Sequence, residues 1–423
     1  MKKIAATKII KNAGQLITVN APGPIGPRSG KAMSDLGIIN KGAVAFASSR
    51  IIAVGETKKV MRDVAITKRT KVIDAAGQLV APGLVDCHSH PVWAGNRSNE
   101  FEMRLQGKSY LDIAKEGGGI KATVKATRKA SANTLFKNGM KALTEMLKNG
   151  ATTIEGKSGY GLTLKDEIKM LKVLQRLNKE HDVDVVPTFL GAHEIPDEYK
   201  GNPDKYLGLV CGEMIPAVVE AKLAEFCDVF CEKGVFNLKQ TRMVLQTAQA
   251  FGMKLKIHAD QLTSIGGAEL AAEFGAISAD HLDCISNEGI LLIKKAGVIP
   301  VLLPGSVFIL GVKKKAPARK LINEGLPVAL GTDLNPGSSS IHSMPITMSL
   351  ACIEFKMTPA EVWCAATLNA AFAINRGNIV GSLAPGKKAD VVIWEAEDYR
   401  DIPYWFGKNS VARIFKNGHD LEL

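Results

Sequence analysis

The sequence predicts an α/β fold: a (β/α)8 TIM barrel with a small composite β-sandwich domain built from both chain ends. Three observations predict it. Eight apolar, strand-like runs follow one another through the middle of the chain, and helical patterns separate most of them. The two flanks read as strands and turns alone. Five of the eight histidines fall at or just beyond the end of a predicted strand, where barrels of this kind gather their functional groups. At 423 residues the chain is long enough for one large domain and a smaller one. The composite domain is placed at 1–78 plus 380–423, and the barrel at 79–379.

In the first flank, 43–47 and 50–55 are short β-type runs, and Gly55 closes the second. A further run, Lys71-Val-Ile-Asp, precedes a turn. No helix of any length is expected there. The segment 20–31 is rich in Pro and Gly and is expected to be a mobile loop. Barrel strands are expected at 84–90, 152–155, 184–190, 228–232, 254–258, 277–281, 299–303 and 328–333. Ser131 can cap a helix whose apolar positions Leu135, Met140, Leu143, Met146 and Leu147 share one face, and Gly150 stops it. Thr163 can cap the next, with Leu164, Ile168, Leu171, Leu174 and Leu177 as its stripe. A doubly wound open sheet is the alternative, but no Gly-x-Gly-x-x-Gly supports it. After Asn378 strand character returns, at 389–394 and 410–415.

No apolar run approaches the roughly 20 residues that a membrane span needs. The basic N-terminus is followed by no apolar core and no small-residue cleavage site, so no signal peptide is expected. The seven cysteines are scattered and include no Cys-x-x-Cys, which fits free thiols in a reducing cytoplasm. The formal net charge of +12 is spread along the chain without an aromatic-interleaved basic cluster. It therefore reads as a solvated lysine surface, with no nucleic-acid or membrane partner.

The chemistry gathers at strand ends. His88 and His90 close the first predicted strand and, two residues apart, point to one side. His193 follows the third strand, His258 ends the fifth, His281 the sixth and Asp333 the eighth. Singly, each histidine reads as well as a packed or surface side chain. Jointly they read as a metal centre, with His88, His90, His258 and Asp333 as ligands. Three imidazoles and a carboxylate suit Zn2+ or Fe2+ better than Mg2+ or Ca2+, which prefer oxygen shells. Such a site can activate water for attack on an amide or amidine carbon. His281 and Asp333 are the candidates for moving the proton, and His193 for polarising the substrate carbonyl.

Specific motifs extend this reading along most of the chain. They are His88-Ser-His-Pro-Val-Trp-Ala-Gly-Asn-Arg97, Glu100-Phe-Glu-Met-Arg-Leu-Gln-Gly, Lys157-Ser-Gly-Tyr-Gly161, Gly191-Ala-His193, Ile257-His-Ala-Asp-Gln261, Ser278-Ala-Asp-His281 and Gly331-Thr-Asp-Leu-Asn-Pro-Gly-Ser338. With them the chain resembles the amidohydrolase superfamily and, within it, the imidazolonepropionase family. The resemblance implies hydrolytic opening of 4-imidazolone-5-propanoate to N-formimidoyl-L-glutamate in histidine degradation. It implies one Zn2+ or Fe2+/Fe3+ ion per chain on His88, His90, His258 and Asp333. It implies substrate contacts at Arg97, Tyr160, His193, Gln261, Asn335, Gly337 and Ser338, and a homodimer.

Arg97 offers a propanoate carboxylate a charge-assisted partner, with a surface ion pair as its plainer reading. Tyr160 offers a hydroxyl and a ring face, or simple packing. Gln261 departs from a family pattern that often has Glu. It cannot act as a base at neutral pH, so it is given a binding role. Glu232 and Lys233, at the end of the fourth strand, read as structural, which favours one metal. Lys157 can neutralise a carboxylate. A ring deaminase of the same superfamily and a non-catalytic scaffold are the competing readings. Arg97 and the Tyr160 loop speak against the first, and the complete ligand set against the second.

Overall fold

The computed structural model describes residues 3–20, 25–108, 112–113 and 117–422. Eight parallel strands follow one another in chain order: Leu84–Asp86, Ala151–Lys157, Asp184–Ala192, Phe226–Cys231, Lys254–Ala259, Ser278–His281, Ile299–Leu302 and Ala329–Leu330. The ring closes just beyond its first and last strands, where Ser89 bridges to Leu334. Two backbone hydrogen bonds make that closure. His90 N donates to Leu334 O at 2.8 Å, and Asp333 N donates to His88 O at 2.9 Å. Three of the four predicted metal ligands, His88, His90 and Asp333, thus lie at the barrel seam.

Helices cover the barrel as the apolar spacing requires. Ser131 accepts from Thr134 N at the start of Ala132–Lys148, and Leu135, Leu143, Met146 and Leu147 are buried against the core, with Met140 at its margin. Thr163 accepts from Asp166 N at the start of Leu164–Glu180, which buries Leu171, Leu174 and Leu177 and half-buries Leu164 and Ile168. Both follow from side-chain oxygens satisfying first-turn N–H groups, and from apolar residues recurring on one face.

The chain ends meet in a second, mixed sheet. Its order is His419–Leu421, Val411–Lys416, Val391–Trp394, Leu79–Pro82, Lys8–Leu16, Ile39–Ala47 and Arg50–Glu56, and Lys71–Asp74 also pairs with Lys8–Leu16. Leu79–Pro82 runs antiparallel to Val391–Trp394, which ties the two flanks together. This sheet therefore extends past residue 78 before the chain turns into the barrel. Its core includes Ile10, Val44, Phe46, Val80, Val391 and Phe415.

Three expectations change. The first flank does hold a helix, Thr57–Asp63. It buries only Val60, so seven residues with one apolar anchor leave no periodic signal. The first barrel strand stops at Asp86, because Asp86 Oδ1 accepts from His88 N at 3.3 Å and from Thr332 N at 3.0 Å and turns the chain out of the ladder. The segment 20–31 is no free loop where it is described. Arg28 N donates to Asn369 Oδ1 at 2.7 Å, Asn369 Nδ2 donates to Arg28 O at 2.8 Å, and Gly30–Ser34 is a 3-10 turn. Residues 21–24 of that segment, and Met1 and Lys2 of the basic N-terminus, lie outside the described residues. All seven cysteines are unpaired. Among the described residues no helix is long and apolar enough to cross a membrane.

Candidate active site

The barrel's C-terminal face brings the predicted residues together. Donor atoms of His88, His258 and His281 lie within 4.8 Å of one another, as do those of His88, His90 and Asp333, and those of His90, His193 and His258. The groups overlap at His88, His90 and His258. Asp333 Oδ1 stands 3.5 Å from His88 Nε2 and 3.6 Å from His90 Nε2. The His281 ring centre is 5.2 Å from that of His258. Backbone strain marks the same places. Asp260, His281, Leu282 and Asp333 all hold positive φ, between 49° and 75°, a region that non-glycine residues enter uncommonly.

Beneath the histidines lies a charge cluster inside the barrel. Lys157 Nζ is 2.7 Å from Asp228, 3.0 Å from Glu155 and 3.5 Å from Asp280. Lys256 Nζ is 2.7 Å from Glu155 and also donates to Cys87 O. All five side chains are fully buried. Burial opposes the charge on Lys157, but Asp228, Glu155 and Asp280 outweigh it and raise its pKa above the ordinary lysine value. The carboxylates reach up to the rings. His88 Nδ1 donates to Asp280 Oδ2 at 2.6 Å, and His258 Nδ1 lies 3.0 Å from Asp228 Oδ2. The hydrogen bond to Asp280 fixes one ring nitrogen of His88, which aims the other at a metal.

His88 Nε2, His90 Nδ1, both ring nitrogens of His258 and His281 Nδ1 are buried without a hydrogen-bond partner. Buried polar atoms are seldom left so. Burial, with positive neighbours added, holds His88, His90 and His281 well below 6.5, so these rings are neutral and free to ligate. Burial raises Asp333 to about 7. Neutral imidazoles with open nitrogens beside a carboxylate fit a divalent zinc or iron ion.

A cavity of about 480 Å3 opens over these groups, lined among others by Arg97, Glu100, Arg104, Tyr160, His193, Gln261 and Ser338. A second cavity, of about 500 Å3 at the opposite end of the barrel, holds none of them. Arg97 is already paired: its Nε and Nη2 donate to Glu100 Oε2 at 3.0 and 2.7 Å. The Tyr160 ring is buried 5.7 Å from that of His90. Its loop is held by the buried Glu167, which accepts from Gly159, Gly161 and Leu162 N–H groups.

His193 Nδ1 lies 3.0 Å from Gly159 O. A carbonyl only accepts, so Nδ1 carries the proton. Burial, with His258 adding to it, lowers His193 to about 3 and keeps it neutral. In that tautomer its Nε2 is an acceptor, on a ring that lines the cavity.

Asn335 is also largely spoken for. Its amide donates to Asp333 O and Ser338 Oγ and accepts from Gly337 and Ser338 N–H, so it shapes its own loop. The loop carrying Gln261 is pinned by Glu232, which accepts from Leu262 N at 2.8 Å and Thr263 N at 3.3 Å.

Sequence reasoning gave no role to Glu155, Asp228, Lys256, Asp280 and Glu167. One signal was there for the first four. Charged residues interrupt otherwise apolar strands, and Lys256 precedes His258 by two residues, on the same face.

The amidohydrolase family model matches residues 79–420. The chain is 51% identical over 410 residues to the imidazolonepropionase of Alkaliphilus metalliredigens, covering 97% of this chain and 96% of that protein. Identity and coverage are the same for the imidazolonepropionase of Geobacillus kaustophilus. Among solved structures, a zinc-bound adenosine deaminase from Xanthomonas campestris superposes with a TM-score of 0.72 at 19% identity, over 99% of this chain and 93% of that one. The guanine deaminase of E. coli gives 0.70 at 15% identity, over 98% and 99%. At such identities the likeness is one of fold. Half the sequence shared over nearly the whole length is a closer relation, and by it the chain belongs to the amidohydrolase family, in the group of the imidazolonepropionases.

Proposed function

We infer that the chain hydrolyses the ring C–N amide bond of 4-imidazolone-5-propanoate, giving N-formimidoyl-L-glutamate, as a step of histidine degradation in the cytoplasm. The observation that carries this is the overlap of His88, His90, His258, His281 and Asp333 donor atoms at the floor of one cavity whose wall is cationic. The 51% identical imidazolonepropionases support the same substrate. We assign a homodimer from the resemblance.

His88, His90, His258 and Asp333 would hold one Zn2+ or Fe2+/Fe3+ ion. When bound, that ion supplies Lewis acidity and lowers the pKa of a water toward neutrality. The water oxygen bonds to the ring carbonyl carbon, and the bond from that carbon to the ring nitrogen breaks. His281, neutral and with an unpartnered Nδ1, and Asp333 take the proton and return it to the leaving nitrogen. Tyr160 lies along the ring, His193 Nε2 accepts a ring N–H, and Gln261 meets a polar ring edge. Arg97, Gly337 and Ser338 form the wall toward the propanoate, and Asn335 holds the last two in place.

The test is metal analysis of the purified protein beside a spectroscopic assay for loss of 4-imidazolone-5-propanoate. About one zinc or iron per chain, with turnover abolished by a chelator, is expected. Metal without turnover of that substrate would overturn the assignment in favour of a ring deaminase.

A further inference from the structure

The loop 158–162 carries Tyr160 and the Gly159 carbonyl that meets His193 Nδ1. Its φ is +107° at Gly159 and +53° at Leu162, the second a value that leucine seldom adopts. Something outside the loop has to hold it there. Two side chains do so, one on its N–H groups and one on its carbonyls. Gly159 N donates to Glu167 Oε2 at 3.1 Å, and Gly161 N and Leu162 N both donate to Glu167 Oε1 at 2.8 Å. A Cβ at Gly161 would come within 2.6 Å of Glu167 N, so the loop lies directly on the start of that helix. From the end of the helix Ile120–Lys129, Arg128 Nε donates to Gly161 O at 2.6 Å and Nη2 to Leu162 O at 3.3 Å.

The two holds are joined to each other and to His193. Lys169, on the helix of Glu167, donates to the carbonyls of Thr127, Arg128 and Ala130. Arg128 Nη2 also pairs at 2.8 Å with Glu198, on the turn Asp197–Tyr199 that follows His193. Neither Glu167 nor Arg128 is among the residues that line the cavity, so neither acts by touching substrate. Yet Glu167 is a buried carboxylate that, among the described residues, no cation pairs with. Burial raises its pKa, and Ser158 and the three backbone donors only partly offset this. What a carboxylate brings is acceptors on both oxygens. A glutamine keeps one oxygen, and two of the three donors share Oε1. Its amide group would then face Gly159 N, donor against donor, beside the peptide that carries Gly159 O.

We propose that Glu167 is a positioning residue of the site: through Gly159 it decides which nitrogen of His193 carries the proton, and with Arg128 it fixes where Tyr160 stands beside that ring. This rests on the reading of His193 and Tyr160 as substrate contacts, and it adds the residue behind them that holds both. The two rings lie 5.4 Å apart. With Oε2 on Gly159 N, Gly159 O stays on His193 Nδ1 and Nε2 is left as an acceptor. Without it the carbonyl turns away and the ring takes either tautomer.

The experiment uses the zinc-loaded protein with its histidines labelled for nitrogen NMR. The His193 ring is assigned by comparison with His193→Gln, and its tautomer is read from the two ring-nitrogen shifts. Zinc content, urea midpoint and the kinetics of 4-imidazolone-5-propanoate hydrolysis are measured on the same samples. The wild type should show His193 protonated at Nδ1. Glu167→Gln should move it toward a mixture with the Nε2–H form and raise KM roughly 3- to 10-fold, with zinc content unchanged. Arg128→Gln should raise KM through the Tyr160 half of the loop and leave His193 protonated at Nδ1. If Glu167→Gln does not fold, Glu167→Asp, with both acceptors on a shorter arm, carries the comparison, with a smaller change in the same direction. A wild-type ring protonated at Nε2, or a His193 tautomer unmoved by the change at Glu167, would overturn the proposal. An equal tautomer change in Arg128→Gln would show general loosening of the loop and overturn it as well. A tautomer change in the Glu167 variant without turnover by any form would keep this role of Glu167 and sink the assigned reaction. Turnover by the wild type with an unmoved tautomer in that variant would do the reverse.

Discussion

Single atoms decide much at this site. Gly159 has a φ of +107°, and a Cβ there would sit 2.8 Å from His193 Nδ1. Gly159→Ala should therefore break the hydrogen bond that fixes the His193 tautomer. The expected result is a higher KM with metal content unchanged, read by kinetics beside metal analysis. His258→Ala should lose metal and activity together, and stoichiometric metal in that variant would remove His258 from the ligand set. His281→Ala should keep metal and lose most turnover, and near-normal turnover would move the proton role elsewhere. Lys157→Met should be among the most damaging changes. It leaves Asp228, Glu155 and Asp280 facing one another in a buried cluster, a loss of about 3–5 kcal/mol in denaturant unfolding.

Elements position the site through their ends rather than their middles. The helix Leu164–Glu180 begins with the Thr163 cap, and Glu167 in its first turn reaches back to cradle the Tyr160 loop. Thr163→Ala should cost about 1 kcal/mol of stability by urea titration, since one first-turn N–H loses its acceptor. The barrel strands behave similarly. The last one is only two residues long, Ala329–Leu330, yet the backbone just past it closes the ring. Because that closure runs through His88, His90 and Asp333, the placing of these three proposed ligands and barrel closure are set by the same hydrogen bonds.

For the whole molecule, the second sheet adds a pH dependence of its own. Lys387 donates to the carbonyls of Gly377 and Val380, and burial lowers it to about 8 from an ordinary 10.5. Below pH 8 the amine is charged in both folded and unfolded chains, and the penalty for burying it is fully present. Between 8 and 10.5 only the unfolded chain keeps the proton, so stability rises with pH, by at most about 3 kcal/mol. The difference between wild type and Lys387→Met in urea midpoints across that range should show the slope, and identical slopes would refute it. Metal acts on the whole fold as well. An ion held only by the folded chain stabilises it by linkage, so a chelator should lower the thermal midpoint as well as activity.

The sequence by itself determined the barrel, the joining of both chain ends and the set of histidines at strand ends. Those are properties of pattern: buried strands are apolar runs, helices repeat every third or fourth residue, and a His-x-His points to one side. Only the tertiary structure decided what those residues do to one another. Arg97 read either as a carboxylate partner or as half of an ion pair until the fold placed Glu100 against it. Nothing in the sequence announced that His193 Nδ1 would meet Gly159 O. Asp228 and Asp280 carried no signal as partners of His258 and His88, because each pair comes from different strands that the chain separates by many residues. Hydrogen bonds and charge pairs act over a few ångströms in space, and linear order does not record which side chains a closed barrel brings that close.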